Sequence, residues 1–81
     1  MKELKETIKL MESTDYKERF MAEYFQLEIR MNKLRNMIKN WENLNFTPTC
    51  SKKLYIVQLG GMNQYMEVLK KRAELENIKL N

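Results

Sequence analysis

Between Phe20 and Trp41 apolar side chains recur at alternating steps of four and three residues: Phe20, Tyr24, Leu27, Met31, Leu34, Ile38 and Trp41. That spacing averages the 3.5-residue period of helices that wrap along a shared seam. Neither glycine nor proline interrupts the stretch, and its polar positions are rich in Lys, Glu, Arg and Gln, all good helix formers. The pattern predicts a helix from about Tyr16 to Asn43, roughly 40 Å long at 1.5 Å rise per residue. Asp15, followed three residues on by Glu18, resembles a capping box at its start.

A second set with the same steps, Tyr55, Leu59, Met62, Met66, Leu69 and Ala73, predicts another helix from about Ser51 to Asn77. Beside it runs a mixed stripe of Leu54, Gln58, Gly61, Tyr65, Val68, Arg72 and Leu75. The two stripes imply two contacts: one closing a hairpin against the preceding helix, the other meeting a further subunit or a ligand. Pro48 restricts Thr47 to extended geometry and bars helix continuation, so residues 44–50 read as the connecting loop. Leu4, Ile8 and Met11 mark residues 1–13 as a short amphipathic helix, and Ser13-Thr14-Asp15 separates it from the next. The expected fold is all-α, a single domain over residues 1–81: a short N-terminal helix, a first hairpin helix at 15–43, the loop, and a second hairpin helix at 51–77. Gly60-Gly61 falls inside the last helix, at a cost of about 1 kcal/mol per glycine relative to alanine. It reads either as a tolerated weakness or kink, or as bare backbone that lets another helix approach closely.

Composition turns this pattern towards self-association. A chain of 81 residues buries a low fraction of its surface and commonly gains stability from disulfides, metals or oligomerisation. Cys50 is the only cysteine and histidine is absent, which excludes an intrachain disulfide and leaves carboxylates alone as metal ligands. Oligomerisation remains. A lone thiol fits a reducing cytoplasm, the first ten residues do not resemble a signal peptide, and the longest apolar run, Leu54 to Val57, is too short to cross a bilayer.

The formal charge is +4, from 15 basic and 11 acidic residues. That balance falls short of the dense basic face expected for duplex DNA, but suffices for a small phosphate ligand gripped by a few cations. Catalysis is disfavoured: there is no histidine for general-base work, no glycine-rich phosphate loop and no CxxC pair. Glu74 and Glu76, two residues apart, point to different sides of a helix. Cys50 reads as an inert loop thiol rather than an activated one, although Lys52, Lys53 and a helix N-terminus lie close. The seven methionines read as core filling before pliable binding surface. The most discriminating set is Tyr16, Arg19, Arg30, Lys33, Tyr65 and Arg72, because aromatic faces stack on bases and guanidinium forks grip phosphate. By residue type alone, core tyrosines and solvated arginines are the stronger reading.

A resemblance changes that balance. Asp15-Tyr16-Lys17-Glu18-Arg19-Phe20, then Glu23, Leu27, Arg30, Lys33-Leu34 and Ile38, resembles the first hairpin helix of phage anti-CBASS cyclic-nucleotide sponges, whose helical hairpin is shared with anti-Thoeris sponges. Gln58-Leu59, Met62, Tyr65, Val68-Leu69 and Arg72 resemble the second. The likeness spans about residues 15–73 and consists of helix-spacing patterns. It implies a homohexamer of hairpins, a trimer of dimers, that withholds cyclic dinucleotides such as cGAMP, and in some members cyclic trinucleotides, in the cytoplasm of an infected bacterial host. It further implies ligand sites between subunits, with Tyr16 stacking on a base, Arg72 contacting phosphate and the basic position on the first arm filled by Arg30 or Lys33. No cofactor, metal or membrane partner is implied. Gly60-Gly61 and the segment before Ser13 depart from the family pattern. A structural helical adaptor for a protein partner, or weak nucleic-acid binding by the basic arms, are the competing readings.

Overall fold

The computed structural model describes residues 3–80; Met1, Lys2 and Asn81, the ends of the expected domain, lie outside the described residues. A 3-10 turn at Leu4–Thr7 runs into a single α-turn, α1, at Ile8–Met11. Two long helices follow, α2 at Tyr16–Lys39 and α3 at Lys52–Leu75, with a 3-10 turn at Trp41–Asn43 between them. Among the described residues there is no strand. The first turn of α2 meets the last turn of α3, where Tyr16 bonds Glu76, and Trp41 meets Tyr55 at the far end, with ring centroids 6.0 Å apart. The helices therefore run alongside one another in opposite directions.

Each long helix begins where a side chain takes over an orphan backbone donor. The Asp15 carboxylate accepts from the backbone N–H of Lys17 at 2.9 Å, and the Ser51 hydroxyl accepts from that of Leu54 at 3.2 Å. The expected reciprocal bond from Glu18 to the Asp15 backbone is replaced by a relay. Asp15 N–H donates to the Ser13 hydroxyl, which in turn donates to the Glu18 carboxylate.

The seam between the helices buries Phe20, Tyr24, Leu27 and Met31 of α2 against Met66, Leu69 and Ala73 of α3. Leu69 is the best-covered apolar side chain, at 0% exposure. Towards the connecting loop the same seam loosens: Leu34, Ile38, Trp41, Tyr55, Leu59 and Met62 are only half-buried. The core thus sits at the end that holds both Tyr16 and Arg72.

Three boundaries depart from the sequence pattern. Helix α2 stops at Lys39 rather than Asn43: Asn40 leaves helical geometry at φ −102° and ψ 23°, and its backbone N–H and its side-chain amide both donate to the Asn36 carbonyl, at 3.0 and 2.9 Å. Of the expected apolar face of the N-terminal segment, Leu4 is half-buried while Ile8 and Met11 are not turned inward. Its tighter 3-10 start buries Thr7 instead and leaves Ile8 and Met11 exposed. Thr7 is satisfied there: its hydroxyl donates to the Leu4 carbonyl at 2.7 Å and accepts from Gln26 of α2 at 2.9 Å. Ala22 and Ile29, on the Gln26 face, are buried as well.

The third departure is at the C-terminal end. Asn77 adopts φ 57°, the left-handed conformation that asparagine tolerates better than most side chains. The N–H of Ile78 reaches the Ala73 carbonyl at 2.8 Å and that of Asn77 reaches Glu74 at 3.4 Å, the double closure of a Schellman turn. The turn folds Ile78 into the core and Leu80 against it.

Replacing Leu69 with alanine is expected to cost about 2–5 kcal/mol, the range for emptying a fully buried leucine site. Urea unfolding at fixed protein concentration checks this; a loss below about 1 kcal/mol would show that the seam is not the main source of stability.

Candidate functional site

Tyr16 occupies the first position of α2, set by the Asp15 cap, and Arg72 lies one turn before the end of α3. Opposite helix directions bring them together. The Arg72 guanidinium donates through Nη2 to the Tyr16 hydroxyl at 2.9 Å, and its Nε lies 3.3 Å from Glu76 Oε2. The Tyr16 hydroxyl donates onward to Glu76 Oε1 at 2.8 Å. The three side chains form a closed triangle on the surface.

Phe20 forms the floor. Its ring lies 4.9 Å beneath the Arg72 guanidinium carbon, and 6.4 Å from the Tyr16 ring at a tilt of 60°. A cation over an aromatic face is attracted by the ring quadrupole, so the buried Phe20 fixes where the guanidinium lies. The bond to Tyr16 raises the Arg72 pKa above its ordinary value; partial desolvation opposes this and Glu76 adds to the rise. Arg72 is a permanent cation in any case.

Two further cations stand in the first turn of α2. Arg19 donates to the Ser13 carbonyl at 2.8 Å, and the Lys17 ammonium donates to the Asn77 carbonyl at 3.4 Å, next to Glu76 in the chain. One end of the molecule therefore offers an exposed tyrosine ring, a guanidinium fork and two more positive side chains. These are groups that suit a base and a phosphate.

Arg30 and Lys33 are not part of this cluster. They line an open groove of about 370 Å³ with Gln58, over an apolar floor of Leu4, Leu34, Met37 and Met62. Both are exposed, and among the described residues neither has an ion-pair or hydrogen-bond partner. Tyr65 is exposed on the outer face of α3. The candidate residues thus divide within one protomer between an end cluster, a middle groove and an outer face.

That outer face follows the mixed stripe: Leu54, Tyr65, Val68 and Leu75 are exposed, as is neighbouring Val57. Gly60 and Gly61 continue the helix without positive φ, and a β-carbon added to either would meet nothing within 4 Å. Nothing in the protomer explains their presence.

Glu76 and Phe20 were not among the site residues drawn from sequence. Arg72 and Glu76 carry a signal that could have found the first, an opposite-charge pair at i,i+4. Cys50 is exposed. Among the described residues no group of three or more His, Cys, Asp and Glu side chains could hold a metal ion, and no helix is long and apolar enough to cross a membrane.

The described residues thus form an all-helical fold with a cationic and aromatic cluster on its surface. Residues 14–75 match the family model Sequestin, and the chain belongs to that family. Membership implies sequestration, the work of a binding protein rather than an enzyme. No curated protein and no solved structure matches the chain.

Tyr16→Phe, which removes only the hydroxyl, is expected to cost below about 1 kcal/mol because its bonds are solvent-exposed. Arg72→Ala should cost more, since it also uncovers Phe20. Urea unfolding of both variants checks this; equal losses would contradict a packing role for the guanidinium.

Proposed function

We propose that the protein sequesters cyclic oligonucleotide messengers, cyclic dinucleotides first and cyclic trinucleotides as a further class, without breaking a bond in them. The observation that carries this reading is the Tyr16–Arg72 pair held at one end of a chain whose residues 14–75 match Sequestin. Tyr16 stacks on a base, Arg72 binds phosphate with Arg19 close by, and Arg30 or Lys33 contributes from a neighbouring copy. This last contribution is required because the middle groove and the end cluster are separate within one protomer.

The assembling unit is the helical hairpin, and the proposed assembly is a homohexamer built as a trimer of dimers. Support comes from the uncovered apolar face of α3, where Gly60-Gly61 would let a second helix approach closely. A cyclic dinucleotide has two phosphates, two bases and approximate twofold symmetry, so a site across a twofold axis presents the same side chains to each half. Stacking contributes about 1–3 kcal/mol per base and each charge-assisted hydrogen bond about 1.5–3 kcal/mol. Two copies of the set bring stoichiometric capture at nanomolar concentration, about −12 kcal/mol, within reach after ordering costs.

A thermal-shift panel of cyclic dinucleotides, cyclic trinucleotides and cyclic ADP-ribose isomers tests the reading. At least one cyclic dinucleotide should raise Tm and be recovered intact after denaturation, with affinity falling roughly tenfold or more in Tyr16→Ala and Arg72→Ala, the loss of one such contact. No shift with any compound, or a degraded ligand, would overturn it. Ligand indifference would favour the protein-adaptor reading, to which the same exposed α3 face lends itself.

A further inference from the structure

The Glu76 carboxylate stands where it helps its own helix least. It lies at the C-terminal cap of α3, beside the negative pole of the helix dipole, and it follows Arg72 at i,i+4, the weaker of the two orientations for such a pair. Helix stability therefore does not account for it. What it does contact is the ligand-facing pair: one oxygen accepts from the Tyr16 hydroxyl at 2.8 Å while the other lies 3.3 Å from Arg72 Nε. A carboxylate spanning these two groups has the charge and the acceptor geometry of a phosphate doing the same.

We propose that Glu76 is an internal competitor for the phosphate seat: in the empty protein it occupies Arg72 and Tyr16, and an incoming phosphate displaces it. The inference rests on the reading of Arg72 and Tyr16 as ligand contacts. The exchange needs no refolding. The Glu76 backbone N–H stays bonded to the Arg72 carbonyl at 2.8 Å and Asn77 and Ile78 stay in their turn, so only the carboxylate side chain swings away. Its side chain is 35% exposed and the Arg72 side chain 43%, leaving room for that rotation towards water. Phe20 keeps the guanidinium in position during the exchange, and Lys17, bonded to the Asn77 carbonyl, remains next to the vacated seat. The consequence is selectivity. A lone carboxylate or chloride gains little by replacing an anion already in place, whereas a phosphodiester attached to a stacking base gains the base contact as well.

The test uses the full chain, with Glu76→Gln, which keeps shape and removes charge, and Glu76→Ala as a second variant, both checked for unchanged helical content. Two probes are titrated: a 3',3'-cyclic dinucleotide, and inorganic pyrophosphate as an anion without bases. Both variants should bind pyrophosphate about fivefold more tightly than wild type, the equivalent of the ~1 kcal/mol upper end for an exposed ion pair. The NMR resonance of Arg72 Nε–H should differ between the empty wild type and the empty Gln variant and coincide once the seat is filled. A purely structural Glu76 would move the first of these and not bring about the second. Equal or weaker pyrophosphate binding in both variants, or an Arg72 resonance that no probe moves, would overturn the proposal. If pyrophosphate behaves as expected while no cyclic di- or trinucleotide of the thermal-shift panel binds any of the three proteins, the exchange at Arg72 stands and the sequestration reading falls.

Discussion

The structure depends on a seam that has only one side. Two 24-residue helices meet along Phe20, Tyr24, Leu27 and Met31 on one and Met66, Leu69 and Ala73 on the other. The opposite face of α3 keeps Leu54, Val57, Tyr65, Val68 and Leu75 in water. Each helix can turn one stripe towards its partner; a second stripe on the same helix needs a second partner. The proposed assembly would meet that constraint.

The same seam builds the candidate site. Running the helices in opposite directions places the first residue of α2 beside the last turn of α3, and the tightest packing falls at that end. Phe20 serves both purposes: its edge belongs to the core and its face supports Arg72. A guanidinium held over a buried ring is already oriented before any ligand arrives, which reduces the ordering cost of binding. Glu76 then fills the charge that such an exposed fork would otherwise direct at solvent.

The two long helices and their facing stripes were legible in the sequence because a four-three period projects directly onto one side of a helix. Other features follow from interactions that periodicity does not encode. The stop at Lys39 falls at one asparagine, whose side chain folds back onto the Asn36 carbonyl beside its own backbone N–H. The N-terminal segment shifts its expected face because a 3-10 turn has a different angular step, so a threonine bonded to Gln26 is buried while isoleucine and methionine stay exposed. Ile78 and Leu80 lay beyond any stripe, and only the left-handed Asn77 turns them inward. Of the site residues, Tyr16 and Arg72 do meet; Arg19, in the same first turn of α2, turns to the Ser13 carbonyl, and Arg30 and Lys33 line a separate groove. Sequence indicated residue types suited to a phosphate and a base, but which of them converge is set by helix direction and by the loop end, where the seam opens.

The central claim is that one chain leaves an apolar face of α3 uncovered, which other copies of the chain cover in the proposed assembly. Sedimentation velocity across nanomolar to micromolar concentration, with helical content followed in parallel, tests it most directly. The account predicts an assembly at micromolar concentration that loses helical structure as it is diluted to subunits. A well-folded monomer, unchanged in helical content throughout that range, would contradict it.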